Sequence, residues 1–184
     1  MEKNRQTNLK HLETSSEVAD LLLRNIINLN RHIVVNEDIR NNLVYSKTSG
    51  NIEQENIRSR MISELLRVIS NSSMDTRYVD SMCLFDVHFQ AYCLNRPDNA
   101  GIYEGTDKAY EIKQTEWYQK AVQAQGKVEF FGYNVIENDT NTFSTVKLFR
   151  NFQSEHGDSI GLLIVNLSKP MFENYCQSPR RHSR

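Results

Sequence analysis

The chain has 184 residues, which suits one domain or one domain with a helical extension. It carries 22 basic and 23 acidic side chains, a formal net charge of −1, so no broad field for nucleic acid or an anionic membrane surface follows. Hydrophobic residues make up 39% and mean hydropathy is −0.60, with the apolar residues gathered after Met82 and the first third polar.

No apolar run approaches the roughly 20 residues that cross a bilayer. Met1-Glu2-Lys3-Asn4-Arg5 lacks the apolar stretch of a signal peptide. Taken literally this predicts a cytoplasmic chain, but a soluble segment lying between two membrane spans has the same appearance. The short basic tail Arg180-Arg181-His182-Ser183-Arg184 is the one local charge exception.

Residues 8–45 predict one long helix. Leu12, Ser15, Ala19, Leu22, Ile26, Leu29 and Ile33 recur at steps of three and four, flanked by Glu13, Glu17, Asp20, Arg24 and Arg31. This stripe has two candidate partners: the chain's own later domain, or a second copy in a weak homodimer. Asn30, Asn36 and Arg40 near the seam weaken a plain coiled coil. Residues 47–51 read as a loop. A second helix follows over 52–69, with Ile57, Met61, Leu65, Leu66 and Ile69 on one face. Residues 1–72 are thus expected to form a helical stalk or hairpin.

From Tyr78 the period changes. Residues 79–85 and 90–94 predict a β-hairpin turning through Asp86-Val87-His88-Phe89. Residues 95–106 are a loop with Pro97, Gly101 and Gly105. Residues 108–125 predict one or two short helices, ended by Gly126. A third strand is expected over 127–136, a polar turn over 137–141, a fourth strand over 143–152 and a turn over 153–159. Ile160 to Leu167 is nearly all apolar and predicts a central strand buried on both faces. Ser168-Lys169-Pro170 can cap a final helix. The fold class is therefore α+β, with residues 73–178 a mainly antiparallel sheet domain and 179–184 a tail.

Catalytic and metal motifs are missing. The three cysteines, Cys83, Cys93 and Cys176, form no CxxC pair and have no histidine at ligand spacing, which argues against zinc. His11, His32, His88, His156 and His182 are scattered. No GxSxG, Walker A, GxGxxG, HExxH or EF-hand spacing occurs, so neither an enzyme nor a cofactor site is expected in this segment. In the predicted hairpin Cys83 and Cys93 fall opposite each other. A disulfide and two small buried thiols both fit that placement.

The one Trp lies in Glu116-Trp117-Tyr118, on a short amphipathic helix. Trp and Tyr each combine a large apolar ring with one hydrogen-bonding handle. The plain reading makes Trp117 a core anchor and Tyr118 its half-exposed neighbour. The sharper reading makes both the lining of a small-molecule pocket.

A long helix, a second helix, the hairpin containing Ser81-Met82-Cys83-Leu84-Phe85-Asp86, the Trp-Tyr helix, Leu148-Phe149-Arg150 and Gly161-Leu162-Leu163-Ile164-Val165-Asn166-Leu167 follow in order. Together they resemble the extracytoplasmic Cache sensor regions of bacterial sensor histidine kinases, most nearly the double-Cache type. The resemblance covers nearly the whole chain. It implies a PAS-like five-stranded sheet mounted on a long helix, and a membrane-anchored two-component parent. A chemoreceptor-type transducer and a helical scaffold protein are the alternatives.

The resemblance also implies a ligand site. Tyr110, Trp117, Tyr118 and Tyr133 match in type and approximate spacing the residues of amino-acid-binding members, with Arg150 and Asn166 as further candidates. Thr115 stands where those members carry an Arg, and Asn166 where they carry an Asp. Without that charge pair the α-carboxylate and α-ammonium of an amino acid lose their partners. The expected ligand is uncharged, a sugar for example, unless the pocket is closed. Tyr110, Trp117, Tyr118 and Tyr133 are expected to converge on one face of the sheet. Tyr133 is placed on the third strand in period with Phe131, and Asn166 on the last strand.

Overall fold

The computed structural model describes residues 2–45, 51–72, 74–94, 111–151 and 158–170. Three helices come first: α1 (Glu2–Val35), α2 (Glu37–Tyr45) and α3 (Asn51–Ser70). A short 3-10 turn (Thr76–Tyr78) leads into β1 (Val79–Asp86) and β2 (Ala91–Leu94). Residues 111–114 are helical, and α4 (Glu116–Gln123), β3 (Glu129–Phe131), β4 (Thr142–Arg150) and β5 (Ser159–Ser168) complete the order. The fold is α+β.

The five strands form one sheet in the order β2-β1-β5-β4-β3, with every neighbouring pair antiparallel. The apolar run Ile160–Leu167 is central, as its composition predicts. It pairs on one side with β1 (Met82 opposite Val165) and on the other with β4 (Val146 opposite Ile164). Successive side chains point to opposite faces, so β5 builds two cores at once. Leu163, Val165 and Leu167 face the helices, where they meet Ile26, Leu29 and Ile33 of α1, Leu43 of α2 and Met61 and Leu65 of α3. Leu162 and Ile164 face the other way and join Phe85, Val146, Leu148, Trp117 and Ala121.

The described part of the α1 stripe from Leu22 to Ile33 therefore packs on this chain's own sheet. Leu22, Ile26, Leu29 and Ile33 are all buried there. Each such side chain removed from water stabilises the fold by about 1.5–3 kcal/mol. The helical segment and the sheet thus share one core across the change of secondary structure near residue 72.

The expected single helix over 8–45 breaks at Asn36. This residue caps α2: its Oδ1 accepts the Ile39 N–H at 2.9 Å, and Glu37 and Asp38 follow in the first turn. The two other polar residues of the seam also have structural work. Asn30 is fully buried and donates to the Ile26 carbonyl at 3.0 Å and to Thr145 Oγ1 at 3.1 Å. Arg40 bonds the Val34 carbonyl at 3.2 Å and the Arg150 carbonyl at 2.9 Å, tying α2 to α1 and to β4.

The third strand is shorter than expected. It ends at Phe131, and residues 132–141 form turns instead. The buried Asn134 organises them: its Oδ1 accepts the N–H groups of Ile136 at 3.0 Å and Glu137 at 3.2 Å. Gly161 sits where a side chain cannot fit. A Cβ there would lie 2.8 Å from the Phe85 carbonyl oxygen and 3.0 Å from a Leu43 methyl.

Candidate functional site

The face of the sheet opposite α1–α3 carries α4. Thr115 starts this helix: its Oγ1 accepts the Tyr118 N–H at 3.3 Å and donates to the Ile112 carbonyl at 2.6 Å. Gln125 (φ 52°) and Gly126 (φ 85°) end it in the left-handed region. Within α4, Trp117 and Ala121 lie four residues apart on the buried side and pack on the sheet. Glu116 and Lys120 pair at 2.7 Å on the solvent side, which holds the Glu116 carboxyl below its ordinary range.

Tyr118 lies at the edge of the buried side. Its ring meets Trp117 edge-on at 6.1 Å and Phe89 at 5.8 Å. Phe89 reaches it from the β1–β2 turn, where its φ is 60°. That turn is held by Asp86, whose Oδ1 accepts the N–H of His88 at 2.8 Å and of Gln90 at 2.9 Å. Lys113 Nζ stands 5.5 Å from the centre of the Phe89 ring, within cation–π range.

Between the turn, α4 and the start of β5 is a cavity of about 170 Å³. Asp86, Phe89, Lys113, Tyr118, Ser159 and Leu162 supply most of its wall. It is smaller than the roughly 300–1,000 Å³ usual for drug-sized ligands. Burial at its wall raises the Tyr118 phenol above its ordinary pKa.

The sequence-derived candidates divide around this cavity. Trp117, Tyr118 and Tyr133 belong to one apolar cluster on this face, and Tyr133 packs edge-on to Phe131 at 6.2 Å although it lies beyond β3. Of the three, only Tyr118 lines the cavity. Tyr110 lies outside the described residues. Arg150 ends β4, with Nη1 3.5 Å from the Gln125 carbonyl, beside the C-terminal end of α4.

Asn166 is on the same face but fully buried. Its Nδ2 donates to Ser81 Oγ at 2.9 Å and its Oδ1 accepts from Ser144 Oγ at 2.5 Å. Ser144 Oγ in turn accepts the Val135 N–H at 3.0 Å. The amide therefore joins β1, β5, β4 and the turn after β3, and it does not line the cavity. No protein-family model matches the chain, and no curated protein matches it at a significant level.

The wall residues Asp86, Phe89, Lys113, Ser159 and Leu162 form no motif in the sequence. Asp86 carried a readable signal, since an Asp opening a hairpin turn commonly accepts N–H groups two residues on. The inward swing of Phe89 depends on its positive φ, which an aromatic residue rarely adopts. A larger hollow of about 480 Å³, open to solvent, lies between α2 and α3 and is lined by Asp38, Asn41, Asn42, Ser59, Arg60, Ser63 and Glu64. Among the described residues no group of three or more His, Cys, Asp or Glu is placed to hold a metal ion.

Cys83 and Cys93 are directly opposed on β1 and β2, with Cα atoms 4.2 Å apart, and are joined by a disulfide. Cys83 is fully buried, while Cys93 is partly exposed.

Proposed function

We propose that this chain is a sensory input region of the Cache type, from a membrane-anchored bacterial histidine kinase, and that it holds a small uncharged ligand on the α4 face of its sheet. The observation that carries this reading is the division of the sheet. One face is sealed by the long helix and its neighbours, while the other bears the aromatic cavity. A five-stranded antiparallel sheet mounted on a long helix is what the resemblance implies, and this chain has that arrangement.

The cavity's chemistry supports a neutral ligand. The aromatic residues Phe89 and Tyr118 in its wall, with Ser159, whose Oγ donates to the Gly161 carbonyl at 3.1 Å and keeps its acceptor capacity, suit an aliphatic hydroxyl compound, a small sugar or polyol. Thr115 is committed to capping α4 and Asn166 to the two serines, so neither can replace the charge pair of an amino-acid site. The Asp86 Oδ1 is engaged by the turn, and Lys113 is exposed beside Phe89.

The disulfide supports an extracytoplasmic placement, because such bridges persist in oxidising compartments. Among the described residues no helix is long and apolar enough to cross a membrane, so anchoring is assigned to the parent chain. Phosphotransfer is likewise assigned to the parent's kinase core. The route for a signal runs through β5: Leu162 lines the cavity, and its neighbour Leu163 packs among the helices. A weak homodimer through α1 belongs to the same proposal. With the main stripe covered, its contact would use exposed side chains such as Leu21 and Ile27.

A thermal-shift panel of neutral sugars, polyols and small acids tests the reading. A neutral compound should raise the melting temperature of the wild type and have no effect on Tyr118→Ala. A panel in which only charged compounds stabilise the protein would overturn the choice of ligand class.

A further inference from the structure

We propose that the Cys83–Cys93 disulfide is a reducible staple that holds the cavity wall in shape, so that thiol–disulfide exchange regulates the site. The regulatory part rests on the ligand-binding reading above. The staple itself rests on geometry alone.

β2 is a four-residue edge strand, hydrogen-bonded only to β1 within the sheet. Its register places Cys93 opposite Cys83, two pairs along from the last pair before the turn, Phe85 with Ala91. The disulfide therefore clamps the hairpin close to the loop that contributes Asp86, Val87 and Phe89 to the cavity. Phe89 sits in that loop with a φ of 60°, a conformation that an aromatic side chain holds only when its surroundings impose it. The imposing contacts are the Asp86 bonds to His88 and Gln90, the Phe89 N–H on the Asp86 carbonyl at 3.0 Å, and the covalent clamp behind them. Opening the clamp leaves β2 paired and its Tyr92 and Leu94 still in the helical-side core. What it frees is the turn, and with it the ring that packs on Tyr118.

The chemistry is ordinary exchange with an external thiol. A thiolate attacks the Sγ of Cys93, the partly exposed residue of the pair. A mixed disulfide forms as the Sγ–Sγ bond breaks, and Cys83 leaves as a thiolate. A second thiolate attacks the external sulfur of the mixed disulfide. The external disulfide forms, Cys93 is released, and both cysteine thiolates take protons from water. The two external thiols supply the two electrons.

Amide hydrogen exchange decides the staple. It is measured on the oxidised protein, on protein reduced with dithiothreitol, and on the Cys83→Ala/Cys93→Ala double variant. Reduction should speed exchange of the His88, Phe89 and Gln90 amides by about tenfold or more, with the β4–β5 amides unchanged. The double variant should match the reduced protein and ignore added thiol. Equal turn rates in the oxidised and reduced forms would overturn the proposal. So would a uniform rise over the whole sheet, which would make the bridge a general stabiliser. The regulatory part is read by titrating any neutral compound from the thermal-shift panel. Its affinity should fall by about tenfold on reduction, a change of about 1.4 kcal/mol, and equal affinity in both states would refute regulation. A panel with no binder removes the sensory reading, while the exchange rates still decide the staple.

Discussion

Ser144 Oγ donates a 2.5 Å hydrogen bond to Asn166 Oδ1 from the neighbouring strand β4. With Ser81 on the other side, the amide spends both its ends inside the sheet. Replacing it by alanine leaves two buried hydroxyls without that partner. Asn166→Ala should therefore lower unfolding free energy by about 2–3 kcal/mol in chemical denaturation. Ser81→Ala should cost less, because the amide keeps Ser144. Equal stability of Asn166→Ala and wild type would show that the amide contributes nothing to the sheet.

Ile26 is fully buried in the core shared by α1 and the sheet. Ile26→Ala should cost about 2–5 kcal/mol. Because the partner surface is in the same chain, this cost should not change with protein concentration. Denaturation at two concentrations a hundredfold apart checks it. A cost that grows with concentration would place the stripe between two copies instead.

Gly161 allows β5 to pass close to β1 and to receive Leu43 of α2. The Cβ of Gly161→Ala meets a backbone oxygen at 2.8 Å, which cannot swing aside as a side chain can. The substitution should destabilise the protein by about 1–3 kcal/mol. The same measurement on Gly132→Ala gives the contrast, since nothing lies within 4 Å of a Cβ there.

Burial raises the Tyr118 phenol above its ordinary value of 10.0. The native state thus keeps this proton at a pH where the unfolded chain loses it. The stabilisation from the neutral phenol is complete below the unfolded pKa and is lost as pH rises through the folded one. Relative to Tyr118→Phe, the wild type should lose stability as pH rises above about 10. Denaturation midpoints of the two proteins across that range check it. Parallel pH profiles would contradict the upward shift of the Tyr118 phenol.

How far the sequence reaches differs between fold and site. Apolar period and run length were enough to find all five strands, and the unbroken Ile160–Leu167 run identified the central one. The α1–α2 break was legible too, because Asn36-Glu37-Asp38 is an N-cap followed by an acidic first turn. β3 stops early because Asn134 bonds its own turn rather than a strand, and local side-chain competition of that kind leaves no periodic trace. Trp117, Tyr118 and Tyr133 belong to one cluster, but Tyr133 reaches it from the turn after β3 and not through the strand period expected of it. The site is displaced from Asn166 because the amide's partners, Ser81 and Ser144, lie 85 and 22 residues away in sequence. Only the register of three strands brings them together.

The central claim is that a small neutral ligand occupies the cavity beside Tyr118. Residue-by-residue amide NMR during titration with the most stabilising neutral compound tests it most directly. Shifts are expected at Val87, Phe89, Lys113, Tyr118 and Leu162, spreading through Leu163 toward α1, with Ser81 and Ser144 little changed. Shifts confined to the α2–α3 hollow around Asp38 and Glu64, or no response to any neutral compound, would contradict it.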